Sequence, residues 1–417
     1  MSKCKTMAVK YDFPYLTSDI PGVPGEIKER YEDFQVDEIP AYQPSGQGDH
    51  TYFYIEKRGL ATRRAIQDIA RALGVKPGRF GVAGKKDARG VTRQMISLEH
   101  ADPERILSLE IPRIKILDVS RHRNKLRMGH LLGNRFVIKL RNTDPQRVDD
   151  VRAVLKELSQ KGVPNYFGPQ RFGNRGDTWQ VGKALLLNDF VTAAELVAGR
   201  PGPDDEGDVL EARKLFHQGH YTQAQAAWPR GFSECQAVCR GMKRFDGDHQ
   251  RAIMSLDKRA LGFYVSACQS WLFNNILAAR IHRLGEIEEG DLAWKQDNGA
   301  VFMVEDAAAE APRAERFEIS PTGPLFGPKM KLPGGNVAEM EKEALENEGL
   351  CHGSFVGSGP LKSPGGRRAL RFKPEGEKTQ LLEDEHGKYI EIRFMLAPGC
   401  YATAILGEIC KEYLVSS

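Results

Sequence analysis

One acid stands among four bases in Ala83-Gly-Lys-Lys-Asp-Ala-Arg-Gly-Val-Thr-Arg-Gln94: Asp87, with Lys85, Lys86, Arg89 and Arg93. An aspartate side chain is ionised at neutral pH, and a carboxylate can serve as a covalent nucleophile or as a base. Glycines at Gly84 and Gly90 allow tight turning and the close approach of a substrate. Thr92 and Gln94 can fix such a loop by hydrogen bonds to its backbone. A basic β-turn with Asp at a favoured turn position fits the same residues. The stretch alone leaves both readings open.

Other chemistries find less support. No GxxxxGK[ST] loop precedes a helix, and no GxGxxG opens a strand-helix unit. The HxE and PCxxC pair of zinc deaminases is absent, as is a GxSxG nucleophile elbow. Seven cysteines, odd in number and dispersed, lack the pattern of a disulfide framework and suit a reducing compartment. Cys235 and Cys239 can share a helix face, but no Cys or His pair completes a metal site, so two small buried residues are expected. The net charge of +4 is too mild to diagnose a nucleic-acid binder. Its distribution says more: Arg121 to Arg141 carries seven Lys or Arg and no acid, the pattern of a phosphate-binding face. His122 and His130 lie in that run and are read as RNA-facing or structural rather than as ligands.

The elements that must position these groups follow from periodicity. Strands are expected within Glu26–Ile39, Thr51–Glu56, Arg79–Gly84, Arg93–Leu98, Ile114–Val119, Asn134–Leu140 and Tyr389–Leu396. Thr62 reads as the N-cap of a helix with apolar residues Ala65, Ile66, Ile69, Ala70 and Leu73, closed by Gly74. Asp149–Lys161 is amphipathic. Helical patterns then dominate, the longest over Phe263–Leu284, and Tyr401–Leu414 can form a terminal helix. Gly and Pro punctuate Ser320–Gly327 and Gly357–Gly366. With 417 residues, two or three domains are expected. The reading is an α/β (α+β) body of residues 1–180 and 371–417, with a largely helical domain inserted over 181–370. No apolar run reaches membrane-spanning length and MSKCKTMAVKYDFPY lacks a signal-peptide core, so a cytoplasmic protein is expected.

Gly84-Lys-Lys-Asp-Ala-Arg-Gly-Val-Thr-Arg-Gln94 resembles the signature of the TruD family of tRNA pseudouridine synthases. Further segments carry the likeness over most of the chain. They are Ile27-Lys28 with Glu32-Asp-Phe34, Asn165-Tyr-Phe-Gly-x-Gln-Arg-Phe-Gly173, Ser266–Asn274, Ser320–Gly327, Arg367-Arg368 and Gly399-Cys-Tyr-Ala-Thr403. At the last, Cys400 stands where the family usually has Ser. The chain is longer than short bacterial members, which suggests an archaeal or eukaryotic-type member.

The resemblance implies an isomerase that breaks the N-glycosidic bond of a uridine in tRNA, turns the uracil and rejoins it through C5, with no cofactor or metal. It implies a mixed, mostly antiparallel sheet with an inserted domain, and the D-arm uridine at position thirteen as target. Asp87 takes the role of covalent catalyst and Lys28 that of its charge partner. Phe167 would be an aromatic platform for a flipped base. Asn165 would bond the uracil edge, an amide offering both a donor and an acceptor. Gln94 is placed with the substrate-binding residues. Lys85, Arg89, Arg93 and Arg171 are candidates for phosphate contact. A monomer acting on tRNA is expected, and a homodimer is left open. A non-catalytic RNA-binding or chaperone protein on the same fold is the alternative, and an RNA methyltransferase would need a cofactor loop that is not found.

Overall fold

The structure is a computed structural model that describes residues 13–357 and 359–416. Two compact units divide at 163/164 and 371/372. One comprises Tyr15–Val163 and Phe372–Ser417, and the other is built on Pro164–Arg371, inserted in the first along the chain. The Asn165 block therefore belongs to the inserted unit, ahead of residue 181.

The outer unit is organised by a sheet of eight strands among the described residues. Its central strand Phe34–Pro40 runs parallel to Val91–Glu99 and antiparallel to Leu131–Leu140. His50–Arg58 follows Val91–Glu99, and Ile114–His122 forms that edge. On the other side, Leu131–Leu140 pairs with Gly387–Leu396, and that strand with Glu375–Asp384. The sheet is thus mixed and mostly antiparallel, as expected.

Alternation decides which face each side chain takes. Phe136, Ile138 and Leu140 share a core with Ile390, Ile392 and Phe394. Val151, Val154, Leu155 and Leu158 of helix Val148–Lys161 cover it, with Ile405, Leu406 and Ile409 of helix Ala402–Cys410. A second core places Ala65, Ile69, Ala70 and Leu73 of helix Thr62–Leu73 over Phe53, Ile55, Ile96 and Leu98. Gly74 closes this helix in the left-handed region, its N–H bonded to the carbonyls of Ala70 and Arg71. The N-cap position is Ala61, however, not Thr62. The Thr62 hydroxyl is taken by a loop distant in sequence, described below.

The inserted unit is largely helical. Helices from Thr178–Leu186 to the long Lys258–Ala279 bury Leu185, Leu196, Phe216, Trp228, Met242 and Leu261 in one core. Cys235 and Cys239 lie buried on helix Ser233–Arg244, where burial pushes their thiols up to about 11 and about 12. A four-stranded sheet accompanies the helices. In it the first half of Ile319–Leu325 pairs with Leu292–Lys295 and the second half with Gly366–Ala369. Among the described residues no helix is long and apolar enough to cross a membrane.

Candidate active site

The loop 83–90 leaves the short strand Gly81–Val82 and enters Val91–Glu99. Its inner side is bound at several points. The Lys86 N–H donates to the Thr62 hydroxyl at 2.8 Å, and that hydroxyl donates to Gln94 Oε1 at 2.8 Å. Gln94 Nε2 returns a bond to the Gly84 carbonyl at 3.3 Å. The Lys57 ammonium reaches the Asp87 carbonyl at 2.8 Å and also bonds the Leu60 carbonyl. Gly90 sits at φ +152°, where an added Cβ would stand 2.4 Å from the Phe34 carbonyl oxygen. Only glycine meets both demands there.

Amid these ties the Asp87 side chain is 62% exposed. Its Oδ2 lies 3.5 Å from Lys28 Nζ. Lys28 itself has φ +61°, an uncommon left-handed conformation for a lysine, just past the short strand Gly25–Ile27. Its ammonium rests over the Phe34 ring at 4.1 Å, and its side chain is only 11% exposed. The lysine is therefore held and the carboxylate is open.

The bases around Asp87 divide into distinct groups. Lys86 points inward to Glu38 at 2.7 Å and Asn134 Oδ1 at 2.7 Å. Burial pushes the Glu38 carboxyl up from its ordinary value against the pull of Lys86. Arg93 joins Asp37 and Glu56 at 2.9 and 2.8 Å, so its charge is matched by two acids rather than left for a phosphate. Lys85 and Arg89 are exposed. Gln94 is fully buried, with both ends of its amide engaged by the Thr62 hydroxyl and the Gly84 carbonyl. Lys57, whose ammonium bonds the Asp87 carbonyl, lies one residue past the strand expected over Thr51–Glu56 and carries no mark in the sequence.

The remaining expected residues gather in the inserted unit. The Asn165 side chain donates to the Ala369 carbonyl at 2.8 Å and accepts from Arg368. It is 6% exposed, which makes it a tie to the strand Gly366–Ala369 more than an open amide. Phe167 is 8% exposed. Its N–H donates to Asn274 Oδ1 at 2.9 Å, and Asn274 Nδ2 donates to its carbonyl at 3.0 Å. The Arg368 guanidinium lies 4.5 Å over its ring, Arg171 lies at 5.3 Å, and Phe273 meets it edge-on at 5.5 Å. Arg171 also reaches Ser266 Oγ at 3.4 Å. Arg368 and Asn274 thus join the cluster through contacts that only folding reveals. Among the described residues no group of three or more His, Cys, Asp or Glu could hold a metal ion.

The family model for tRNA pseudouridine synthase D (TruD) matches residues 10–409. The chain belongs to the TruD family. A relative from Geobacter sulfurreducens, named tRNA pseudouridine synthase D, is 44% identical over 97% of this chain and 98% of its own length. One of the same name from Geobacter metallireducens is 45% identical over 95% and 97%. A solved structure from Methanosarcina mazei, given as a candidate tRNA pseudouridine synthase D, aligns with a TM-score of 0.84 at 27% identity, over 98% of this chain and 97% of that one. The Geobacter relatives are bacterial and of matching length, so length does not mark an archaeal or eukaryotic-type TruD chain.

Proposed function

We propose that this chain isomerises a uridine of tRNA to pseudouridine, with Asp87 as the covalent catalyst. The observation that carries this reading is a single open carboxylate on a loop whose backbone is fastened from beneath. Family membership and the names of the relatives support the substrate. In the reaction the N1–C1′ bond of uridine breaks and a C5–C1′ bond forms. The proton on C5 is lost and N1 gains one, so the product is an isomer and no atom is supplied from outside. The carboxylate bonds to the nucleoside and leaves once C5 is joined to C1′. The target base must first leave its stack, because the enzyme cannot reach the reacting atoms around the glycosidic bond inside a duplex. Lys28 faces the same carboxylate and sets its orientation.

The target is the D-arm uridine at position thirteen, which rests on the family resemblance. Contacts of Asn165, Phe167 and Arg171 with the same RNA rest on it too. The test is tritium release from tRNA labelled at uracil C5, together with mapping of the product. The wild type should release tritium in proportion to enzyme, and Asp87→Ala should bind tRNA with unchanged affinity yet release none. Activity retained in that variant would remove Asp87 from the chemistry. No release by the wild type on any tRNA would favour a pure RNA binder.

A further inference from the structure

The seven bases between Arg121 and Arg141 look alike in sequence, but the fold separates them. Lys139 and Arg141 are fixed to Asp384 at 2.8 and 2.6 Å, and Arg141 also to Asp33 at 2.7 Å. The other five have no ion-pair partner among the described residues. Lys125 alone of these bonds a carbonyl, that of Gly78. Arg123 and Arg127 are exposed on the segment that joins strands Ile114–His122 and Leu131–Leu140.

That segment has little regular structure, yet it is held. Leu126 is 3% exposed in a small core with Tyr52, Ala83, Met95 and Leu131. Its N–H donates to Ser97 Oγ at 3.0 Å, and the Tyr52 hydroxyl donates to the Asn124 carbonyl at 2.9 Å. The Gly129 N–H donates to the Ala83 carbonyl at 2.9 Å, at the first residue of the Asp87 loop. The arm is thus fastened at one end to the catalytic loop.

An aromatic shelf joins both its ends, at His122 and at His130. Tyr42 stacks on His122 at 5.1 Å with 22° between planes, and Tyr52 packs on His122 at 4.8 Å. The Tyr42 hydroxyl is 2.7 Å from His130 Nδ1. Burial, with His50, Arg123 and His130 nearby, holds the His122 imidazole below its ordinary value. It therefore favours the uncharged ring at neutral pH. Unmatched cations interleaved with stacked rings are what an unpaired polynucleotide strand needs: charge for its phosphates and faces for its bases.

We propose that the arm Arg123–Arg127 and the Tyr42–His122 shelf bind the unpaired RNA strand flanking the target nucleotide. The inference rests on the proposed RNA substrate and adds where this chain grips it. The variant Arg123→Glu with Arg127→Glu tests it in the full-length protein. Each single-strand phosphate contact contributes about 0.7 to the slope of log affinity against log salt, so two lost contacts lower that slope by about 1.4. At 0.1 M salt the same term weakens tRNA binding by roughly 25-fold. Single-turnover rate at saturating tRNA should stay unchanged. The double variant Arg123→Lys with Arg127→Lys should keep the wild-type slope. Tyr42→Ala should weaken binding of an unpaired oligonucleotide and Tyr42→Phe should not. An unchanged Kd and salt slope in the charge-reversed protein, with tritium release by the wild type intact, would overturn this inference alone. A wild type that releases no tritium would instead overturn the function on which it rests.

Discussion

Replacing Lys57 with methionine tests the support beneath Asp87. Lys57 is fully buried, and its ammonium donates to the carbonyls of Leu60 and Asp87. Burial pushes its amine down to about 8 from an ordinary 10.5, against the attraction of Asp87. Methionine keeps much of the length and removes both bonds. A hydrogen bond from a charged group contributes about 1.5–3 kcal/mol. Loss of the bond to the Asp87 carbonyl should therefore lower the rate of pseudouridine formation by roughly 10- to 100-fold if the loop shifts away from the reacting geometry. The affinity for tRNA should hold.

Stability supplies an independent readout. Below pH 8 both folded and unfolded Lys57 carry a proton, and the cost of burying the charge is fully present. Between about 8 and 10.5 the folded protein sheds its proton first, so the unfolded state binds more protons and stability rises with pH. At 1.36 kcal/mol per pKa unit, this term amounts to about 2 kcal/mol by pH 9.5 and ~3 kcal/mol in full. Urea unfolding at pH 7, 8 and 9.5 should show the wild type gaining that amount relative to Lys57→Met. Parallel pH profiles would refute the lowered amine pKa, and an unchanged rate would refute its role in placing Asp87.

Two further substitutions probe the same loop. Gly90→Ala forces a Cβ to within 2.4 Å of the Phe34 carbonyl at φ +152°, so urea denaturation should show a loss of about 1–3 kcal/mol, with activity falling alongside. Glu38→Ala strands Lys86 in a buried position and should cost about 3–5 kcal/mol by the same measurement, whereas Glu38→Gln, which keeps an acceptor, should cost less.

Local periodicity made most of the outer unit legible. Alternation marked the strand Gly387–Leu396, and its apolar side marked helix Val148–Lys161. The expected strand over Glu26–Ile39 breaks into Gly25–Ile27, a 3-10 turn and Phe34–Pro40, because Lys28 takes a left-handed conformation. Glu375–Asp384 went unread: its charged residues suit an edge strand, which buries little and leaves a weak pattern. Ile319–Leu325 contains Pro321 and Pro324, which punctuate a sequence read locally. The fold accommodates them by giving each half of the strand a different partner. At the site, Asp87 and Lys28 were legible through resemblance and meet in space. Lys57 and the tie made by Thr62 were not, because each acts through a partner far away in sequence.

The same distance argument explains how one acid can be set among cations and still be available. Lys86 and Arg93, its neighbours in sequence, are matched by Glu38, Asp37 and Glu56. Lys57 binds the Asp87 backbone, leaving the carboxylate itself with Lys28 at 3.5 Å. With the carboxylate 62% exposed, water screens the pair and keeps it weak, so under the proposed function it orients Asp87 without withholding it from reaction. In the proposed complex RNA covers the loop and excludes water, so the effective dielectric falls and the attraction between Lys28 and Asp87 strengthens. The lysine is then most effective when the substrate is in place, and the loop can remain open to solvent before it.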